Sequence, residues 1–415
     1  MSKAQGEVGS AMCKRRILFF SEAVTLAHVA RPYLLATALD RSCYEVFFAG
    51  HPRYKALMGD VPFVWHDIAT IPSEQFLAAL AHGTPVYNAA TLRGYVREDL
   101  ELIDRVNPDV IVGDFRLSLS VSARLRRKPL VTITNAYWSP YAKQSYVVPE
   151  LPLTKLFGAQ VGQAIFDLTR PLAFAYHCLP LNAVRREFGL PSLGFDLRRI
   201  YTDADYVAYA DVPEIAPLID PPPSHFYVGP LTWSPAIELP TWWEALPEDK
   251  PIVYVTLGSS GTSKLLPVVL EALQDLPVTV IVATAGTNTV AAIAPNIFMA
   301  EYIPGLTAAR IASLVICNGG SPTSYQALAE GKPVIGIASN LDQYLNISRV
   351  EEAGAGKLLR AGQLSARLVR QTAVRVLHDQ GMTDCALKLM QIITQYQAEE
   401  RFEVVVRQAA GSAHV

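Results

Sequence analysis

Charge and paired cysteines are both scarce in this sequence of 415 residues. Only 18% are Asp, Glu, Lys or Arg, half are hydrophobic, and the formal net charge is −2. That balance leaves no basic footprint for nucleic acid. The five cysteines (Cys13, Cys43, Cys178, Cys317 and Cys385) are far apart and form no CxxC pair. An odd, scattered set argues against a disulfide framework and for free thiols in a reducing cytosol. The eight histidines include no HxxxH or HExxH, so a zinc site has no support. Mean hydropathy is high at +0.20, yet no apolar run approaches the roughly 18 residues of a membrane span. Residues 1–16 are polar and lack the apolar core of a secretory leader, so they read as a loose extension and a cytoplasmic location is expected. Repeats and low-complexity tracts are also missing. Ser118, Ser120 and Ser122 have no nucleophile-elbow glycine frame.

Strands and helices alternate throughout, at a length that suggests two domains. Apolar runs at Arg16–Phe20, Tyr44–Gly50, Val61–Trp65, Val110–Asp114 and Leu130–Thr134 read as strands, separated by helical stretches at 29–39, 73–106 and 117–125. After an aromatic, proline-rich segment at 137–200 the rhythm resumes with Tyr206–Tyr209 and a stiff connector of five prolines at 213–223. A second series follows: 251–256, 278–283, 297–300, 314–317 and 333–337, closed by helices near 364–378 and 383–408. Such alternation implies open, doubly wound parallel sheets. Residues 137–200 read either as a loop packed on the core or as a lid over an apolar pocket.

Residues 316–346 organise the chain. Asn318-Gly319-Gly320 turns out of a strand, Ser321-Pro322-Thr323 opens a helix with Ser321 as its expected N-cap, and Gly331 ends it. A glycine turn into a helix N-terminus suits an anion, although it is also an ordinary βαβ turn. Asp342 and Gln343 follow at the end of the next strand, in an expected loop. In the first half, His28 lies just past the first strand and Asp114 closes another. Both belong to the crevice beyond the strand ends, where an imidazole backed by a carboxylate can accept a proton. Taken alone, His28 reads first as a helix-start or packed histidine and only second as a base. Asp203-Ala204-Asp205 has metal-binding spacing but precedes a strand, and no metal is expected. Arg124, Arg126, Arg127 and Lys128 read as a solvated helix end, with weak contact to a membrane surface or phosphate as the other possibility.

The stretch resembles the donor signature of the family-one nucleotide-sugar glycosyltransferases, the group that includes plant and bacterial natural-product glucosyltransferases. Gly319, Gly320, Thr323, Gly331, Pro333, Asp342, Gln343 and Asn346 match that signature in order and spacing. Asn318 replaces the family's His, Gln326 its ribose-binding Glu, and Ala27 the Gly before the catalytic His. The resemblance implies a GT-B fold: an acceptor domain over 1–225, a nucleotide-sugar domain over 226–390, and a final helix in 391–415 that crosses back. It further implies an inverting transferase without metal or other cofactor, with His28 as base and Asp114 as its partner. Ser259, Tyr302, Asn318, Gly320, Ser321, Thr323, Gln326, Asp342 and Gln343 would hold a UDP- or dTDP-hexose. Tyr137, Trp138 and Tyr146, within an aromatic wall over 137–157, would meet an apolar small-molecule or lipid acceptor. A lipid-linked sugar transferase, a sugar-nucleotide epimerase and a degenerate, non-catalytic partner protein stay open as other readings.

Overall fold

A computed structural model describes residues 14–247, 249–258, 263–286 and 294–412. The first seven strands are β1 (Arg15–Ser21), β2 (Tyr44–Gly50), β3 (Val64–Asp67), β4 (Val110–Asp114), β5 (Leu130–Thr134), β6 (Tyr206–Tyr209) and β7 (His225–Tyr227). They form one sheet in the order β3-β2-β1-β4-β5-β6-β7. Six more make the second sheet: β8 (Ile252–Thr256), β9 (Thr279–Ala283), β10 (Ile297–Ala300), β11 (Leu314–Cys317), β12 (Val334–Ala338) and β13 (Gly356–Arg360), in the order β10-β9-β8-β11-β12-β13. Neighbouring strands are parallel in both sheets. Burial on both faces explains why β1, β4, β9 and β12 read as continuous apolar runs rather than alternating ones. The architecture is GT-B: two doubly wound α/β units meeting across a cleft.

Several boundaries differ from the sequence reading. The expected helix over 73–106 is two helices, Ser73–His82 and Ala89–Val106, because Gly83 takes a left-handed φ of 66° and stops the first. The proline-rich 213–223 joins β6 to β7 within the first sheet, which therefore runs past residue 225. At the other end, helix Gln380–Thr394 stays with the second unit, where Leu389 and Ile393 enter its core. The return begins only after it. Helix Ala398–Ser412 buries Phe402, Val405, Val406 and Ala409 in the core of the first sheet, with the Phe402 ring 6.0 Å from that of Phe19. Where the outgoing linker meets the returning chain, Gly229 sits at φ 100° and a Cβ there would stand 2.6 Å from the Tyr396 Cβ. Only glycine fits that crossing.

Beneath the first sheet's crevice lies a buried ion network. The Arg116 guanidinium, fully buried, donates to Glu22 (3.1 Å), Asp99 (3.0 and 3.1 Å), Glu98 (2.8 Å) and the Ala69 carbonyl (2.6 Å). It also lies 3.8 Å from the Tyr95 ring centroid. Ser118 and Ser122, part of the serine run, donate to the second oxygen of Asp99. Burial pushes Glu22 up to about 7 from 4.5, against the lowering effects of Arg116 and of the Tyr95 hydroxyl. The folded chain therefore keeps a proton that the unfolded chain has lost between about pH 4.5 and 7. Stability should fall as pH rises through that window and level off above it. Denaturant midpoints measured across it should show a shallower slope for Glu22→Gln. An unchanged slope would mean that Glu22 does not titrate there.

Candidate active site

In an open parallel sheet the ligand crevice lies where the strand order reverses. In the first sheet that point is between β1 and β4, with Ser21 in register with Asp114. The chain leaving β1 enters helix Ala27–Ala38, which places His28 in its first turn and Arg31 one turn on, along the same face. His28 Nδ1 lies 2.7 Å from Asp114 Oδ1. Arg31 forks onto the same carboxylate, Nε to Oδ2 and an Nη to Oδ1, both at 2.8 Å, and its other Nη donates to Asn135 Oδ1 at 2.8 Å. Burial opposes the Arg31 charge, yet Asp114 outweighs it and raises the guanidinium above its ordinary value. Asp114 is 1% exposed and His28 19%, so the imidazole edge faces the cleft while its support is dry. A carboxylate only accepts, which selects the Nδ1–H tautomer and leaves the Nε2 lone pair outward. Phe115 stacks on the imidazole with centroids 4.8 Å apart, and holds a left-handed φ of 58° to do so. Such a conformation is costly for an aromatic residue and recurs at functional sites.

The second sheet reverses between β8 and β11. Gly258 and Gly319, at φ 64° and 78°, carry the chain out of these two strands. Asn318 Oδ1 accepts from the Gly320 N–H at 3.0 Å, and Asn346 Nδ2 donates to the Gly319 carbonyl at 2.8 Å. Both amides thus shape the glycine turn. Helix Ser321–Ala329 then begins with Gly320, not Ser321, as its N-cap. Ser321 is already helical and its hydroxyl faces the other domain, 3.4 Å from Asn135 Oδ1. Asn318, Gly320, Ser321 and Thr323 line the cleft, presenting the helix N-terminus and its positive dipole end. Tyr302 lines the same wall at 38% exposure, with Glu301 beside it. Ser259 lies outside the described residues.

Asp342 and Gln343 reach the cleft, but from a helix instead of a loop. Asn340 caps helix Leu341–Glu352 in a reciprocal capping box with Gln343. Gln343 Oε1 accepts from the Ser339 N–H (2.9 Å), the Ser339 hydroxyl (3.0 Å) and the Asn340 N–H (3.3 Å). Its carbonyl oxygen is committed to the cap. Asp342 Oδ1 accepts from Trp138 Nε1 at 2.8 Å, across the two domains. Gln326 Nε2 donates to the Trp233 carbonyl at 2.6 Å, which ties the helix to the interdomain linker while the residue still lines the cleft.

The expected aromatic wall over 137–157 contributes only Trp138 to the cleft. Tyr137 is 1% exposed and part of the interior. Tyr146 packs edge-on against Phe174 with Arg170 over its ring. Residues 143–151 instead strap the first domain to the second. Arg349 reaches the Lys143 carbonyl and Gln144, Arg360 pairs with Glu150 at 2.8 Å, and the Tyr344 hydroxyl donates to Glu150 at 2.8 Å. Phe76, Leu80, Val86, Phe115, Ile200 and Tyr201 form the apolar wall in its place. Asp203 and Asp205, candidates for a metal by spacing, pair with Arg185 and Arg124. Arg126 pairs with Asp104 and Lys128 donates to Asn107 Oδ1 at 2.8 Å, so with Arg124 on Asp205 three of the four cations at that helix end have partners. Among the described residues no group of His, Cys, Asp and Glu is clustered to hold a metal ion.

The two crevices open into one cleft of about 430 Å³. It offers an oriented imidazole on one wall, a helix N-terminus on the other and apolar surface beside the imidazole. That arrangement can take a proton from a hydroxyl and stabilise a departing anion. Sequence reading missed Arg31 and Asn135, although the i, i+3 spacing from His28 marked Arg31 as a neighbour.

Residues 267–402 match the family described as erythromycin biosynthesis protein CIII-like, C-terminal domain. A PGL/p-HBAD biosynthesis glycosyltransferase of Mycobacterium tuberculosis is 52% identical over 376 residues, 91% of this chain and 88% of that one. A PGL/p-HBAD biosynthesis rhamnosyltransferase of Mycobacterium bovis is 52% identical over 381 residues, 92% and 85% of the two chains. Among solved structures, a spinosyn rhamnosyltransferase complexed with thymidine diphosphate superimposes with a TM-score of 0.64 at 20% identity, covering 92% of this chain and 96% of that one. At that identity the likeness is one of fold.

Proposed function

The chain belongs to the family-one-like GT-B glycosyltransferases and is a hexosyltransferase, and from that premise we propose how it works and on what. A dTDP- or UDP-hexose binds with its diphosphate at Asn318–Thr323 and its base toward Tyr302, and an apolar alcohol or phenol lies against Phe115, Trp138 and Tyr201. His28 Nε2 takes the hydroxyl proton as the acceptor oxygen attacks C1. The bond from C1 to the diphosphate oxygen breaks, its electron pair leaves with the diphosphate, and the anomeric configuration inverts. Asp114, fixed by Arg31, holds the imidazole and stabilises the imidazolium. No metal takes part: the leaving group is met by the helix N-terminus and neighbouring hydroxyls. The observation that carries this reading is the His28–Asp114 pair and the glycine-turn helix facing one another across a single cleft.

With the Gln343 carbonyl in a cap and one Asp342 oxygen on Trp138, few acceptors remain for sugar hydroxyls. That supports a deoxyhexose over glucose, in keeping with the relative named a rhamnosyltransferase. The test is a thermal-shift titration against UDP, dTDP, GDP and ADP, with and without magnesium. A ligand that binds only the folded state, at 100 times its Kd, stabilises by about 2.7 kcal/mol. A metal-independent rise in Tm with dTDP or UDP is expected. No rise with any nucleotide at millimolar concentration would sink the donor site and favour a non-catalytic partner. A rise that requires magnesium would sink the metal-free mechanism.

A further inference from the structure

The long helix Pro152–Glu187 is apolar on two faces, and only one of them is covered. Phe166, Phe174, Cys178 and Leu181 are buried against the first domain. On the outer side, Phe157, Val161, Leu168, Leu172, Tyr176 and Leu179 are about half exposed or more, with Leu168 at 80% and Leu172 at 73%. From Val161 onward their spacing of seven, four, four and three residues makes a single stripe, with Phe157 set off by the turn at Gly158 (φ 76°). A helix apolar all round is normally enclosed on all sides, and scattered exposed leucines would not align in this way. No helix of the described residues is long and apolar enough to cross a membrane, so the stripe cannot be a span.

We propose that this face lies on an anionic lipid surface, seated in the headgroup layer beside the acceptor side of the cleft. Charge argues for lipid. Residues 152–201 carry six Lys and Arg against three Asp and Glu, while the whole chain is net −2. Glu187 is paired with Arg93 and Asp196 with Arg198, and of the cations Arg185 is buried against Asp203. Lys155, Arg186 and Arg199 are exposed, and Arg186 lies one heptad beyond Leu179, at the end of the stripe. An apolar face bordered by cations is the pattern of helices that lie in a bilayer interface. A second copy of the chain fits less well, because a two-fold contact would set the same cations against themselves.

Position gives the face a use. The inner side of the helix, through His177, Pro180 and Leu181, walls a narrow apolar crevice that shares Val86, Phe115, Leu117, Ile200 and Tyr201 with the main cleft. Docking on lipid would bring the imidazole's apolar wall close to a membrane-held acceptor. The docking itself does not depend on the transfer reaction proposed above.

The test is flotation of the full chain with vesicles of phosphatidylcholine, with and without phosphatidylglycerol. The chain should float with the anionic vesicles, less so as salt rises. Leu168→Ser with Leu172→Ser should weaken binding by about ten-fold or more, from the apolar area lost, with Tm and the nucleotide-induced shift unchanged. Absence of flotation, or equal flotation of the double variant, would overturn the proposal. So would light scattering that shows a dimer broken by the same variant in the absence of vesicle binding.

Discussion

Replacing His28 with alanine should cut hexose transfer by a factor on the order of 10²–10⁴, while the nucleotide still raises Tm as in the parent chain. The split follows from where the residue stands. His28 lies on the first domain's crevice, hydrogen-bonded to Asp114 and stacked on Phe115, and the glycine turn that faces it belongs to the other sheet. Truncation removes the proton acceptor but leaves Asp114 its two bonds from Arg31, so the buried carboxylate keeps its countercharge and the fold should hold. Initial rates with a model phenol, alongside the dTDP or UDP thermal shift, check both halves. Loss of transfer and of nucleotide binding together would show that His28 supports the cleft structurally. Retention of transfer within a few-fold would remove it as the base.

Arg116→Met should cost about 3–5 kcal/mol of stability, the largest effect expected of any single substitution considered. The guanidinium is the cation held directly between Glu22 and Asp99, both fully buried, with Glu98 at the edge. Methionine fills similar space but leaves two carboxylates in the interior without their partner, and they must either ionise uncompensated or take up protons. Urea denaturation at neutral pH should show the loss, and lowering the pH should reduce it as the carboxyls protonate. Adding Glu22→Gln and Asp99→Asn to Arg116→Met should restore much of the stability, because the penalty belongs to the unpaired charges and not to the missing contact. A single variant within about 1 kcal/mol of the parent would mean that water reaches the site.

Much of the fold and part of the site could be read from residues alone. The apolar runs of β1, β4, β8 and β11 and the turn glycines at 319 and 331 are local signals, set by backbone sterics and burial, and they fix what each segment is. Asp114 was legible as a strand-end residue for the same reason, and His28 as a residue just past a strand, at the start of a helix. The donor signature located Asp342 and Gln343 but not their environment. An Asn three residues before a Gln is equally a helix cap, and Asn340 makes it one here, which commits the Gln343 carbonyl to the Ser339 and Asn340 N–H groups. The aromatic segment after β5 misled because composition records that tyrosines and tryptophans need burial without saying against what. Glu150, Arg349 and Arg360 decide that by pinning the segment to the second domain.

The sequence by itself determined the two wound α/β units, the glycine turn at the helix N-terminus, and the presence of a carboxylate at one strand end and an imidazole past another. Those follow from periodicity and turn chemistry within a few residues. Tertiary structure alone decided that β4 lies beside β1, and so that Asp114 meets His28 from 86 positions away in the chain. It also decided that Arg31 and Asn135 join them, that Arg116 gathers three acids, and that one face of the long helix is left bare. Each of these depends on strand order and on contacts between distant segments, which the packing of the whole chain settles and no local pattern encodes.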